Sequence, residues 1–253
     1  MLIVLIIIAA LFLIGALFYR SSLQEYRINQ IEWDRRHELD GLFDERAPIV
    51  VRGMPQTPVW THADIMMRDF YAQAKAPDGN MSLRDAIMNG QDDVKSGTQS
   101  YRKYLYQNVA LGIWCENTWS AVLANSRGWL GSLIQLDGEC FIGSQGLMEM
   151  KANWTMVLPT EGAIVVQLLA SKEKKWLPKK WSGLFPGQLT VANAPFIGQL
   201  KYMDIILRPG TALWVPAHWL ISWTAKEENE VPLICTINMH TPISWLAAQG
   251  TKE

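Results

Sequence analysis

The second half of the chain is a succession of short apolar runs interrupted by glycine and proline, and this pattern constrains the fold most. The runs begin at Glu139, and each is long enough for one or two β-strands. Segments of strand length at this spacing favour a sandwich or a small barrel. In a chain of 253 residues, we expect them to form a single domain. The runs cover residues 139–146, 147–159, 162–170, 201–210, 211–223 and 231–242.

The N-terminus is an uninterrupted apolar stretch from Leu2 to Phe18 that contains no charged residue. At about 1.5 Å per residue, a helix of this length nearly crosses a hydrocarbon core of about 30 Å. A secretory signal peptide is the competing interpretation, but no basic region precedes the stretch and no small-x-small cleavage site follows it. We therefore expect a retained, single-pass transmembrane anchor over residues 1–20, with residues 2–18 in the lipid bilayer.

The sequence between the anchor and the apolar runs predicts mainly helices. Residues 21–46 are polar with apolar residues at mostly three- and four-residue intervals, which predicts a spacer of one or two helices. Residues 47–55 are predicted as a strand, and helices are predicted within 61–76, from Ser82 onward and over 117–129. The expected organisation is an anchor over 1–20, a helical spacer over 21–46 and a β-barrel domain with N-terminal helices over 47–253.

Charge and cysteine content argue against several classes of partner. The chain has 23 Lys and Arg against 24 Asp and Glu, so no overall positive field favours nucleic acid. Its three cysteines, Cys115, Cys140 and Cys235, are too few and too widely spaced for a disulfide framework or a zinc knuckle. We expect reduced thiols.

The order of these segments resembles the JmjC-type, cupin-like double-stranded β-helix of many iron- and 2-oxoglutarate-dependent hydroxylases. "PIVVRG" (48–53) resembles the first strand of that family, and "FIGSQG" (141–146) resembles the strand that leads to the metal. "AIVVQLLASKEKKWLP" (163–178) and "RPGTALWVPAHW" (208–219) are similar to two further segments of the family. The resemblance implies an α+β, mainly β fold, in which helices and an N-terminal transmembrane helix precede a jelly-roll-type barrel.

The same resemblance indicates where a metal would bind, and those positions are substituted. Family members hold iron with a His-x-Asp pair and a distal His. Lys151 and Asn153 occupy the positions of the pair, and Ile221 occupies the distal position. An ammonium, an amide and an alkyl group are poor iron ligands. We therefore expect no metal, no other cofactor and no catalytic residue at these positions.

The remaining histidines and lysines do not restore the site in the sequence. His218 precedes Ile221 by three residues, so on a strand its side chain would leave from the opposite face. It is more simply a hydrogen-bonded histidine than a metal ligand. Lys172, Lys174 and Lys175 are more simply an exposed basic turn than a clamp for a co-substrate.

Polar and apolar residues alternate from Met148 to Thr155, and a slip of one residue would exchange the set that faces the core. In the simpler interpretation, the methionine and tryptophan face is the core. In the other, the polar set points inward, Glu149 and Lys151 pair, and the Lys151 ammonium stands roughly where a metal cation would sit.

The chain contains 12 tryptophans, and Trp214, Trp219 and Trp223 lie within ten residues of one another. They either fill the barrel core or form, together with His218, an apolar interaction surface of the kind that favours aromatic residues.

Two classes of function follow from these observations. The first is a membrane-anchored, non-catalytic, cupin-like module that binds other proteins. The second is an oxygenase with a rearranged site or a barrel that binds a small molecule. Tethered, degenerate cupin-like chains also resemble proteins of nucleocytoplasmic large DNA viruses. This resemblance implies a minor capsid protein that links an inner virion membrane to capsid or membrane-complex subunits.

Overall fold

The computed structural model describes residues 2–20, 26–54, 134–227 except 193, and 230–242. It also describes the segments 73–76 and 79–82, isolated positions between 61 and 119, and residue 244. Within these residues the protein is mainly β, with one N-terminal helix of 19 residues and a few short helices, as the sequence predicts. The strands are Asn29–Glu32 (β1), Ile49–Arg52 (β2), Gln73–Ala76 (β3), Gly79–Ser82 (β4), Gln135–Ile142 (β5), Gln145–Glu149 (β6), Trp154–Glu161 (β7), Ile164–Leu169 (β8), Met203–Leu207 (β9), Ala212–Pro216 (β10), Leu220–Ala225 (β11) and Leu233–His240 (β12).

Ten of these strands form two sheets. One has six strands in the order β1-β2-β10-β7-β12-β5, and the other has four in the order β6-β11-β8-β9. Each of the six apolar runs predicted from Glu139 onward overlaps a described strand, so the prediction of short strands there is confirmed.

The two sheets pack face to face around one apolar core. Alternate residues of each strand point into this core because successive side chains on a strand leave from opposite faces. Val157 of β7 and Leu213 of β10 come from the six-stranded sheet, and Val166 of β8 and Ile221 of β11 come from the four-stranded sheet. At about 25 cal/mol per Å² of buried apolar surface, this core is a principal source of stability.

Each sheet also has a covered outer face. A second apolar cluster lies on the outside of the six-stranded sheet and includes Phe43, Trp154 and Trp214. A third lies on the outside of the four-stranded sheet, where Leu147 and Leu220 meet the long connection between β8 and β9. That connection, residues 170–202, contains three short 3-10 helices, Ser171–Trp176, Pro186–Gln188 and Ile197–Gln199.

The segment predicted as a helical spacer is different where the structure describes it. Asn29–Glu32 is strand β1, which pairs in parallel with β2, and Trp33–Glu38 is a 3-10 helix. Only Leu39–Asp44 (α2) is α-helical, and it buries Leu39 and Phe43. Residues 29–32 alternate strictly between buried and exposed, a period of two that the wider three- and four-residue spacing concealed. The helical prediction is therefore wrong for β1, and this segment packs against the domain.

Two further predictions concern the region before β5. The helix predicted within 61–76 is wrong at its end, because Gln73–Ala76 pairs with Gly79–Ser82 in an antiparallel hairpin. Most of the remainder of that helix, the helix predicted after Ser82 and most of the one predicted over 117–129 lie outside the described residues. Residues 117–119 are helical.

The N-terminal segment Leu2–Arg20 forms an α-helix of 19 residues (α1). Its described large apolar side chains are exposed, from 43% for Phe12 to 73% for Ile3. Counting only the residues that the structure describes, no helix offers a stretch long and apolar enough to cross a membrane.

Candidate functional site

The position at which the family resemblance places its distal metal ligand lies inside an apolar plug. Ile221 is fully buried on β11 and belongs to the core between the sheets, together with Met150 and Trp219. The ring of Tyr26 closes over Trp219 edge to face, with 6.0 Å between the ring centroids. None of these four side chains is an imidazole or a carboxylate, the donors of the family's iron site, so this end of the core is built for packing.

The other two substituted positions lie in the link between β6 and β7. Lys151 is exposed, whereas Asn153 is buried and accepts a hydrogen bond from the Ala217 backbone N–H through its own backbone carbonyl, at 3.1 Å. Met150, Ala152 and Trp154 are all buried, but Asn153 and Thr155 of the polar set are buried as well, and Met150 and Trp154 belong to different apolar clusters. The simpler interpretation, with one apolar face in the core and one polar face in solvent, is therefore wrong for Asn153 and Thr155. An exposed Lys151 does not stand between the sheets in place of a cation. The residues at the three positions do not fit an iron centre.

Glu149 is the centre of an ionic cluster that forms instead. Its Oε1 atom lies 2.6 Å from Lys174 Nζ and 3.3 Å from His218 Nδ1. All three side chains are partly buried, with between 24% and 30% of each exposed. The partner of Glu149 is thus Lys174, not Lys151 as the sequence suggested. We call Glu149, Lys174 and His218 the ionic triad.

Three separate elements position the ionic triad. Glu149 ends β6, Lys174 lies in the 3-10 helix of the β8–β9 connection, and His218 lies in the turn between β10 and β11. His218 has a φ of 68°, a left-handed conformation that non-glycine residues seldom adopt. The turn is fixed by a hydrogen bond of 2.7 Å from the His218 backbone N–H to the Met150 carbonyl.

The triad holds Glu149 in its charged form. Burial would raise the pKa of this carboxyl group, but hydrogen bonds from His218 and Lys174 and their charges outweigh burial and lower its pKa to about 2. A carboxylate that an ammonium already contacts is poorly placed to take up a metal cation. The triad therefore ties the β8–β9 connection to the sheet.

A second polar network joins the same connection to the segment that follows α1. The hydroxyl of Tyr26 donates to the Lys201 carbonyl at 2.8 Å and accepts from the Ala170 N–H at 3.4 Å. The buried Glu173 carboxylate accepts from the Lys201 backbone N–H at 3.1 Å. Burial raises the pKa of Tyr26, and so does the Glu173 carboxylate, so its hydroxyl remains a donor at neutral pH.

The three tryptophans are core residues. Trp219 and Trp223 share the core between the sheets with Ile221, and Trp214 lies in the outer cluster of the six-stranded sheet. Each of the three is at most 1% exposed. Trp219 and Trp223 therefore fill the core between the sheets, and Trp214 fills the outer cluster. The indoles do not form the interaction surface that the sequence suggested for them together with His218.

The structure does not gather histidines at one place in the described residues. His37 is exposed beside Glu38. His240 ends β12 in the six-stranded sheet, and burial there lowers the pKa of its imidazole. His62 lies outside the described residues. In the described parts of the chain, no three His, Cys, Asp or Glu side chains lie close enough to hold a metal ion. Cys140 and Cys235 face each other across β5 and β12, with their sulfur atoms 3.0 Å apart.

Sequence reasoning missed Tyr26, Glu173 and the role of Lys174. "SKEKKW" predicts an exposed basic turn, and Lys172 and Lys175 are indeed exposed. Lys174 and Glu173 are not, because the 3-10 helix turns both toward the domain. The sequence carries no local signal for their burial, because Glu and Lys residues are usually exposed.

No family model matches the chain, and no curated protein matches it in sequence. Among solved structures, the chain is similar to Drosophila melanogaster CENP-C bound to CAL1, with 15% sequence identity and a TM-score of 0.26. The match covers 41% of this chain and 63% of that one, so the chain spans less than two thirds of the length of the structure it matches.

Proposed function

We propose that the chain is a membrane-anchored, non-catalytic protein built on a cupin-like double-stranded β-helix, and that it serves as a structural or interaction module. The observation that carries the proposal is the apolar plug of Met150, Trp219 and Ile221, with Tyr26 against it. An iron centre needs imidazole and carboxylate donors that face an open cavity. Here the corresponding space is filled with side chains that lack them.

The strand order supports the cupin-like part of the proposal. From β5 to β12 the chain runs through eight strands, and four of them join each sheet. Their order is β10-β7-β12-β5 in one sheet and β6-β11-β8-β9 in the other. Two interleaved four-stranded sheets of this kind are the arrangement of a jelly roll, the architecture to which cupins belong.

The anchor is supported by the sequence and by exposure. The stretch from Leu2 to Phe18 contains no charge, and the described large apolar side chains of α1 are exposed. Exposed apolar surface of this extent is costly in water and favourable in lipid. The further step to a virion component that joins an inner membrane to capsid subunits rests on sequence resemblance alone.

The experiment that tests the proposal is metal loading of the purified full-length protein. The protein is incubated without oxygen with Fe²⁺ and 2-oxoglutarate and desalted, and its iron is measured by mass spectrometry. Fresh 2-oxoglutarate is then added, and release of succinate is followed in air. We expect far less than one iron per chain and no turnover above a protein-free control. One retained iron per chain together with succinate release would instead identify an oxygenase.

The same experiment can also test whether a metal binds to the ionic triad. Glu149 and His218 lie near the plug and carry a carboxylate and an imidazole, two groups that iron binds. If iron were retained in the natural protein and lost in the E149Q/H218Q variant, the metal would be assigned to the triad and the proposal would be wrong.

A further inference from the structure

The β8–β9 connection carries a strong local charge imbalance. Between Ser171 and Tyr202 the sequence has six lysines and a single acidic residue, Glu173, in a chain whose net charge is −1. Glu173 is buried, so its charge lies beneath the surface, and Lys174 is held by Glu149. The other five lysines of the connection are exposed: Lys172, Lys175, Lys179, Lys180 and Lys201.

Aromatic side chains stand among these lysines. Lys175 Nζ lies 4.6 Å from the centroid of the Trp176 ring, and that ring lies 5.8 Å from Phe196. Phe196 is 57% exposed, although a phenyl ring in water gains nothing from exposure. Lysines combined with exposed aromatic rings are the composition of protein surfaces that rest on lipid headgroups.

Chain connectivity brings this surface close to the anchor. Tyr26 is bonded to the Lys201 carbonyl, and Lys172 Nζ lies 4.9 Å from the centroid of its ring. Only five residues separate Tyr26 from Arg20, the last residue of α1. A fully extended link of that length spans roughly 20 Å. An inserted α1 therefore keeps the connection within roughly 20 Å of the bilayer surface.

We propose that this connection surface, defined by the five exposed lysines and Phe196, docks on anionic phospholipid headgroups of the bilayer into which α1 inserts. The inference rests on the proposed membrane anchoring. Attraction between lysines and anionic lipid fades over a Debye length of about 8 Å at physiological salt. The short tether supplies the proximity that this attraction needs, and docking then fixes which end of the domain faces the membrane.

The test uses the full-length chain reconstituted into vesicles of phosphatidylcholine, or of equal parts phosphatidylcholine and phosphatidylserine. An environment-sensitive fluorophore is attached at Gln199→Cys, an exposed position whose backbone N–H bonds to the Phe196 carbonyl. Cys115→Ser removes the one cysteine outside the described residues, since Cys140 and Cys235 are buried. Flotation of the vesicles reports insertion of the anchor, and blue-shifted emission reports docking of the surface.

The matched variants reverse three charges each. One replaces Lys175, Lys179 and Lys180 of the surface with Glu. The control replaces Arg52, Arg208 and Lys226 with Glu. Arg208 and Lys226 are exposed and lie at the end of the four-stranded sheet opposite to the β8–β9 connection. Arg208 follows Leu207, which pairs with Ile164 at the start of β8, and the Lys226 backbone N–H bonds to the Ala163 carbonyl. Arg52 ends β2 and is exposed as well.

We expect flotation with both vesicle types and a blue shift only with phosphatidylserine. Each lysine at an anionic surface raises the binding constant for docking about fivefold. The surface variant should therefore lower that constant at least on the order of 100-fold, whereas the control variant should keep the blue shift. Equal emission in both vesicle types, or equal behaviour of the two variants, overturns the docking surface even if flotation succeeds. If flotation and the blue shift both occurred only with phosphatidylserine vesicles, the docking surface would be supported and the membrane anchor would be wrong.

Discussion

At the residue scale, two arrangements determine what this end of the molecule can do. The plug around Trp219 is apolar and closed, and the ionic triad beside it already neutralises its one carboxylate. A metal site needs open coordination positions and an anionic ligand that is free to bind. The plug fills the space for the first, and the ionic triad already occupies the second. Substitutions in either arrangement should therefore change the free energy of unfolding.

Glu149→Gln should lower the free energy of unfolding at pH 7 by up to about 3 kcal/mol, because the triad lowers the pKa of Glu149 from 4.5 to about 2. A depressed folded pKa gives stability that is complete above the ordinary pKa and disappears as the pH falls through the folded value. The difference between the natural protein and the variant should therefore shrink between pH 4.5 and about 2. Urea unfolding across this range measures it.

The control for this prediction is Glu227→Gln, since Glu227 is exposed. Surface substitutions of this kind usually change stability by less than about 0.5 kcal/mol. A stability difference for Glu149→Gln that stays constant down to pH 2 would mean that the carboxylate charge is not what the triad stabilises.

Trp219→Ala should lower the free energy of unfolding by about 3–5 kcal/mol, because the indole is fully buried and its removal leaves a cavity. Near-ultraviolet circular dichroism during urea unfolding is a suitable probe. Phe196→Ala is the comparison, since Phe196 is largely exposed, and it should cost less than about 1 kcal/mol. Equal effects of the two substitutions would place Trp219 on a surface rather than in the core.

At the element scale, the sequence predicted strands well and their surroundings poorly. The strands from β5 to β12 follow apolar runs bounded by Gly and Pro, which are local signals. The strand β1 depends on pairing with β2, a contact between segments that periodicity alone does not report. The triad was missed for the same reason, since Lys174 and Glu149 are 25 positions apart in the sequence and meet only when the β8–β9 connection folds back.

The attachment of that connection to β6 gives an element-scale prediction. A Cβ atom at Gly146 would lie 2.0 Å from the Gly183 carbonyl oxygen, so Gly146→Ala forces the two backbones apart. We expect a loss of about 1–3 kcal/mol and faster proteolysis within residues 170–202. Gly198→Ala is the matched control in the same connection, because nothing lies within 4 Å of its Cβ position. Similar cleavage rates for both variants would contradict the close packing.

At the scale of the whole molecule, the two sheets, the outer clusters and the segment after α1 form one packed unit. Tyr26 closes the core and also bonds to the connection that carries the lysines. From Tyr26 onward, the chain that follows the proposed anchor is thus part of the domain rather than a free spacer. This arrangement suits a module held at a fixed orientation against a bilayer.

The most direct test of the central claim is a methyl spectrum of the full-length protein with labelled methionine and isoleucine, recorded with and without Mn²⁺ and 2-oxoglutarate. A paramagnetic ion bound in the core would broaden the signals of Met148, Met150 and Ile221, which belong to the core or pack against it. We predict that they keep the same line widths as Ile237, which lies on the outer face of the six-stranded sheet. Selective broadening of those three signals would show a metal site and contradict the claim that the interior is closed.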